Sequence, residues 1–124
     1  MHMLQNAKWI AAADTDAASP LFRKSFTLDS VPASAALSAC CLGYGVITVN
    51  GQPVTDDVLT TGLTKFDASV LYNIYDVAAL LRPGENVIGI MLGNGWYNDI
   101  AEVWDYEKAP WRHHPKMILS LEME

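Results

Sequence analysis

The chain consists of short apolar segments separated by turn residues, and the clearest segment has a period of two. Large apolar residues occupy alternate positions in Lys116–Met123, which is typical of a strand with one buried face. Leu21–Leu28 is rich in aromatic and other large side chains, follows Pro20 and runs to a turn, so it predicts another strand. The segment 86–92 is apolar on both faces, as expected of a strand at the centre of a sandwich.

The small apolar segment 35–42 is compatible with a helix by propensity, but it leads directly into Gly43, Tyr44 and Gly45. The segment 46–49 that follows is β-branched throughout. We therefore predict either a pair of strands or one long bent strand in this region.

Asn50-Gly51 comes directly after these strands and predicts a β-hairpin, because both residues tolerate positive φ. Pro53 lies in the returning segment and has no backbone N–H to donate. The returning strand is therefore expected at a sheet edge. Residues 55–70 have mixed composition and are predicted to be mostly loop.

The segment 70–75 predicts a further strand. Asp76 is placed to act as the N-cap of a short helical turn over 77–81, and Pro83-Gly84 ends that turn.

Several short strands with turns at regular spacing, and no long segment of helical period, predict an all-β fold. We expect an antiparallel β-sandwich or jelly roll that forms one domain over residues 1–124. The strong strand Lys116–Met123 lies at the C-terminal end of the sequence. A sandwich truncated at that end is therefore among the expectations.

The charge balance argues against two classes of partner. The 124 residues carry a formal net charge of −6, which repels nucleic-acid phosphates and anionic lipid. The sequence has no apolar run of the roughly 20 residues that a membrane helix requires. Its N-terminus lacks a signal-peptide pattern, so we expect a cytoplasmic protein or a piece excised from an exported precursor.

Cys40 and Cys41 are the two cysteines of the chain. Neighbouring residues in a strand point to opposite faces, so a disulfide between them is not expected. We predict one buried thiol and one less buried thiol.

The segment 94–111 is the candidate binding site, because it mixes flat aromatic rings with amide and carboxylate side chains. Sugars present an apolar C–H face and a rim of hydroxyl groups, and this mixture matches both. The alternative is a long loop whose aromatic residues form a small core of their own. The candidate ligand-binding residues are Asn94, Trp96, Tyr97, Asn98, Trp104 and Trp111.

Asn94 and Asp99 are candidate calcium ligands, because calcium takes oxygen donors. Turn formation by these short polar side chains is the alternative. No catalytic residue is predicted, since glycoside hydrolysis needs two carboxyl groups across a deep cleft and one loop on a small sandwich is unsuited to build it.

A series of sequence blocks resembles one known family in both order and spacing. The blocks are Pro20–Phe26, Gly43-Tyr44 with Val49-Asn50-Gly51, Tyr72–Val77, Gly84–Gly89 and, as the most specific, Leu92-Gly93-Asn94-Gly95-Trp96-Tyr97. Together they resemble the N-terminal β-sandwich domain of bacterial α-L-rhamnosidases, which are glycoside hydrolases that remove terminal L-rhamnose. The resemblance covers residues 8–123, nearly the whole chain.

The resemblance implies a galactose-binding-like sandwich that is an accessory domain and not an enzyme by itself. The family's catalytic carboxylates lie in a separate helical barrel, so the implied partners are that catalytic domain and L-rhamnose or a rhamnose-containing glycan. In some relatives the sandwich resembles a calcium-assisted rhamnose-binding module. The alternative role is a purely structural domain that buttresses the catalytic domain or mediates assembly.

Overall fold

A computed structural model of the chain describes residues 4–102 and 104–124. The described residues form eight strands and two single turns of 3-10 helix, Ala78–Leu80 and Tyr106–Lys108, with no α-helix among them. The strands are β1 (Ile10–Ala11), β2 (Leu21–Leu28), β3 (Ala35–Leu42), β4 (Tyr44–Val49), β5 (Gln52–Pro53), β6 (Asn73–Asp76), β7 (Gly84–Gly93) and β8 (Lys116–Met123). Nothing in the described part of the chain is a helix long and apolar enough to cross a membrane.

The strands form two four-stranded antiparallel sheets. The first sheet has the order β1-β8-β3-β6, and the second has the order β2-β7-β4-β5. This arrangement confirms the predicted all-β class with two antiparallel sheets. The predicted strands at 21–28 and 116–123 occur with those bounds.

The core lies between the two sheets and is built from alternate residues of the central strands. On the first sheet Leu37 and Met117 point inward, and on the second sheet Ile47, Ile90 and Leu92 do so. Phe22 and Phe26 close the core from β2. Burial of this apolar surface is the main stabilising contribution to the fold.

The first alternative predicted over 35–49 is confirmed in part, because two strands form there, β3 and β4, but they do not pair with each other. β3 pairs with β6 and β8, whereas β4 pairs with β5 and β7, so the chain changes sheets at Gly43. An apolar pattern predicts that a segment is a strand but does not say which sheet it joins. A Cβ atom at Gly43 would overlap the backbone carbonyl of Asn94, so only glycine fits at this crossing.

The Asn50-Gly51 hairpin is confirmed. Both residues have positive φ, 52° and 81°, and they join β4 to the short strand β5. Pro53 lies in β5 at the edge of the second sheet, as predicted. No strand forms between 55 and 70, in agreement with the predicted loop.

A hydrogen-bonded pair of asparagine side chains ties the hairpin to the start of β7. Asn50 Nδ2 donates to Asn86 Oδ1 at 2.8 Å, and Asn50 Oδ1 accepts from the Val87 backbone N–H at 2.9 Å. Asn86 is fully buried and also bonds the backbone N–H and carbonyl of Arg82 at 3.0 and 2.7 Å. Two blocks far apart in sequence therefore meet in one hydrogen-bonded network, which satisfies the buried polar atoms.

The strand predicted over 70–75 begins later, at Asn73, and the predicted helical turn is the 3-10 turn Ala78–Leu80. β6 pairs with β3 only as far as Ala39, because the Thr61 hydroxyl binds the backbone N–H and carbonyl of Cys41 at 3.3 and 3.0 Å. The N-cap of this turn is Val77, without a side-chain cap bond, so the prediction that Asp76 is the N-cap is wrong. Asp76 Oδ1 instead accepts from the Ala78 backbone N–H at 3.1 Å, which forms an Asx turn just before the 3-10 turn.

Candidate functional site

The candidate site lies on the loop between β7 and β8. Two hydrogen bonds close its first turn, because Asn98 donates through its backbone N–H to the Asn94 carbonyl at 3.1 Å and through Nδ2 to Asn94 Oδ1 at 2.9 Å. Asp99 Oδ1 accepts from the Ala101 backbone N–H at 2.8 Å, and the Asp99 carbonyl accepts from Arg112 Nε at 2.8 Å. These polar groups hold the loop in shape.

Asn94 and Asp99 thus act as turn-forming residues in the structure, and a calcium role for them stays a prediction. Over the described ranges, no three or more His, Cys, Asp and Glu side chains come together in a way that would hold a metal ion.

Three side chains form an exposed aromatic patch, consisting of Trp96, Trp104 and Tyr106. The Trp96 and Trp104 rings are stacked, with centroids 6.4 Å apart and an interplanar angle of 9°. Tyr106 lies 5.2 Å from Trp96 and 6.3 Å from Trp104, measured between centroids. Trp104 is 81% exposed, whereas Trp96 and Tyr106 are half-buried, so the patch meets solvent mainly through the flat indole of Trp104.

Three charged side chains lie in the same segment as Trp104 and Tyr106. Lys108 Nζ lies 2.6 Å from Asp105 Oδ1 and 3.6 Å from Glu107 Oε1. The single ammonium charge is therefore shared by two carboxylates, and the group keeps a net negative charge.

Tyr97 and Trp111 lie elsewhere, over the outer face of the first sheet. Tyr97 is only 5% exposed and packs on Cys40, Leu42 and Ile118. Phe66 contacts Tyr97 edge-on, with centroids 5.5 Å apart, and Trp111 at 5.9 Å. We call this outer surface, with the loops that shield it, the covered face.

A cavity of about 490 Å³ opens beside these rings. Lys116 Nζ lies 5.9 Å from the centroid of the Tyr97 ring. The indole N–H of Trp111 is buried and finds no acceptor among the described residues. The main lining side chains are Trp9, Phe66, Asp67, Tyr97, Trp111 and Lys116.

The sequence prediction that one thiol is less buried is wrong, because the loops of the covered face shield Cys40 while Cys41 faces the core between the sheets. Burial raises the pKa of Cys40 to about 11, partly offset by a hydrogen bond from Thr61. Burial, with a smaller contribution from Cys40, raises the pKa of Cys41 to about 12. Both thiols are therefore neutral near pH 7.

One end of the outer face of the second sheet is apolar and exposed. Leu21, Met91 and Val46 lie directly opposite one another on three neighbouring strands. Val58 and Leu59 line the adjoining groove beside Val46 and Met91. We call these five residues the bare face, and its exposure reaches 74% at Leu21 and 81% at Val58.

The structure divides the predicted ligand-binding residues into three groups. Trp96 and Trp104 form the exposed patch, Tyr97 and Trp111 cover the first sheet, and Asn94 and Asn98 bind each other. Their roles in ligand binding stay predictions.

Sequence reasoning missed Phe66, Lys116 and the bare face. Phe66 lies in a loop without periodicity. Lys116 is the first residue of a strand whose alternating pattern identifies only its apolar residues. Strand pairing brings Leu21, Val46 and Met91 together, and no local pattern contains that information.

Comparison with known proteins gives a match to one protein family. Residues 30–124 match the model of the α-L-rhamnosidase N-terminal domain. An α-L-rhamnosidase of Formosa agariphila is 32% identical over 99 residues, which cover 80% of this chain and 10% of that protein.

Solved structures agree with the sequence comparison. The α-L-rhamnosidase of Aspergillus terreus superimposes with a TM-score of 0.84 and 31% identity, over 95% of this chain and 14% of that one. The Streptomyces avermitilis α-L-rhamnosidase complexed with L-rhamnose gives a TM-score of 0.75 and 32% identity, over 87% of this chain and 10% of that one. The chain spans 10% to 15% of the length of the curated relatives it matches.

Proposed function

Because this chain belongs to the α-L-rhamnosidase N-terminal domain family, we propose that it is a non-catalytic accessory domain that docks on the rest of a longer α-L-rhamnosidase. The proposed docking surface is the bare face. The proposed partner is the catalytic domain, which would hydrolyse terminal L-rhamnose.

The observation that carries this proposal is the row Leu21, Met91 and Val46, which leaves large apolar side chains in solvent on three adjacent strands. Contiguous exposed apolar surface marks interaction sites in soluble proteins. The relatives are several times longer than this chain, so in those proteins a partner of sufficient size lies within the same polypeptide.

The non-catalytic role is supported by the carboxylates near the exposed aromatic patch. Glycoside hydrolysis uses one carboxyl group as acid and another as base or nucleophile. Asp105 and Glu107 both lie beside the same ammonium group, that of Lys108. We expect the isolated chain to release no nitrophenol from 4-nitrophenyl α-L-rhamnoside, and turnover that survives repurification would contradict this role.

Docking is tested with the domain and the remainder of the rhamnosidase produced as separate polypeptides. The double variant Leu21→Lys, Met91→Lys should abolish their co-elution, because it places two charges in the apolar face. Thr27→Lys is the matched control, since Thr27 is exposed on the same strand but lies away from the row. Equal co-elution of both variants would overturn the assignment of this face.

Carbohydrate binding is the second candidate function, and the stacked pair Trp96 and Trp104 favours it. A flat, exposed indole suits the C–H face of a sugar. If L-rhamnose binds here, it should shift the tryptophan fluorescence of the isolated domain in a saturable way, and Trp104→Ala should remove the shift. A flat response from folded wild-type protein would remove this candidate.

A further inference from the structure

The cavity on the covered face combines apolar walls with an unpaired cation. Rings of Phe66, Tyr97 and Trp111 meet there, and Trp9 lies at the rim with its indole partly exposed. A concave space of about 490 Å³ is within the range of ligand pockets.

Lys116 supplies the cation. It is the first residue of β8, opposite Leu42 of β3, and it lines the cavity. The other charged lining residue, Asp67, lies 3.8 Å from Lys65 Nζ. Within residues 4–102 and 104–124, Lys116 makes no ion pair, so its ammonium group is available to an anion.

The exposed aromatic patch differs on this point. Its lysine, Lys108, is already bound to Asp105 at 2.6 Å. An anionic ligand would have to displace that carboxylate at the patch, whereas at the cavity Lys116 faces the Tyr97 ring and makes no ion pair within the described residues.

From this geometry we infer that the cavity is a binding site for a sugar unit that carries a carboxylate. The C–H face of the ring would pack on the aromatic walls, and the carboxylate would accept charge-assisted hydrogen bonds from Lys116. The second candidate function and this inference both involve a sugar as ligand. They differ in the site, which is the exposed aromatic patch in one case and the cavity in the other, and only the inference requires a carboxylate on the sugar.

The experiment uses D-glucuronate and D-glucose, two sugars that differ only in a carboxylate against a hydroxymethyl group. Each is titrated into the ¹⁵N-labelled domain while the four tryptophan indole N–H signals are followed. Glucuronate should shift the signals of Trp9 and Trp111 in a saturable way, and glucose should bind about tenfold more weakly, as expected for loss of a charge-assisted hydrogen bond.

Lys116→Met tests the cation while keeping the length of the side chain. This variant should lower the affinity for glucuronate to that for glucose, whereas Lys116→Arg should keep the preference for glucuronate. Lys108→Met is the matched control, because it removes a lysine at the exposed patch and should leave the preference unchanged.

Three results would overturn the inference. They are equal affinity for the two sugars, an unchanged preference in a folded Lys116→Met variant, and shifts confined to Trp96 and Trp104. The last result would at the same time support the second candidate function, so the two ideas fail separately.

Discussion

The two outer faces of the sandwich differ in what shields them from water. On the first sheet, Cys40, Leu42 and Ile118 lie beneath loops of the same chain, which contribute Tyr97 and Phe66. On the second sheet, the apolar row of Leu21, Val46 and Met91 has no such cover. One face is completed within the chain, and the other is, in our proposal, completed by a partner.

The difference shows that an apolar strand residue has two distinct uses. Where loops close over it, the side chain contributes to the free energy of unfolding of the domain itself. Where the face stays open, the same kind of side chain contributes to the free energy of association when another surface packs against it. Substitutions that separate stability from association therefore distinguish the two faces.

The largest effect is expected from Gly43→Ala. The new Cβ would overlap the Asn94 carbonyl, so the loop between β7 and β8, which carries Tyr97, would have to move. We expect a loss of about 4 kcal/mol in the free energy of unfolding, measured by urea denaturation. Gly93→Ala is the control, because a Cβ there meets no atom within 4 Å; equal losses in the two variants would show that the crossing is not tightly packed.

Tyr97→Ala tests the loops that shield the covered face, and Val46→Ala tests the bare face with a smaller truncation of an apolar side chain. Loss of the buried ring should cost about 3 kcal/mol, whereas the exposed valine should change the free energy of unfolding by less than about 0.5 kcal/mol. Similar values for the two variants would mean that the faces do not differ as described.

The thiols give a pH-dependent measure of the buried regions. Folding raises the pKa of Cys40 to about 11 and the pKa of Cys41 to about 12. In the unfolded chain both thiols ionise near pH 9, whereas in the folded state they stay neutral to higher pH. Their contribution to stability is complete below that pH and is lost as the pH rises from about 9 to 12. The decline should be shallower in the double variant Cys40→Ala, Cys41→Ala, and equal slopes would contradict the burial of the thiols.

The smallest effect on stability is expected from Leu21→Ser on the bare face, with a change of less than about 0.5 kcal/mol. Binding of a hydrophobic dye such as ANS to the folded domain should nevertheless fall, because the variant removes exposed apolar surface. Unchanged dye binding, with the fold intact by circular dichroism, would count against the bare face as the main apolar surface.

The sequence predicted the strands better than it predicted their relation in space. Lys116–Met123 and the Asn50-Gly51 hairpin follow from local patterns, and both occur in the structure. The need for glycine at the change of sheet comes from the distant carbonyl of Asn94, and the Thr61 hydroxyl binds Cys41 beyond the start of β6. These contacts join residues far apart in sequence, so no local rule contains them.

The candidate site was predictable in composition but not in geometry. Trp96 and Tyr97 are neighbours in one aromatic segment, and the structure sends one to the exposed patch and the other to the covered face. Their separation follows from the turn closed by Asn94 and Asn98, whose side-chain bond is not visible in the sequence.

The hydrogen-bonded pair of Asn50 and Asn86 has a consequence for the chemical lifetime of the protein. An asparagine followed by glycine is the sequence most prone to lose its amide as ammonia. At Asn50 that reaction would replace the amide that donates to the Leu80 carbonyl and to Asn86 Oδ1, both at 2.8 Å, with a carboxylate facing two oxygen atoms. A single deamidated side chain would thus weaken the side-chain link between the hairpin and the Leu80–Asn86 segment, and ageing of the purified domain should begin at this turn.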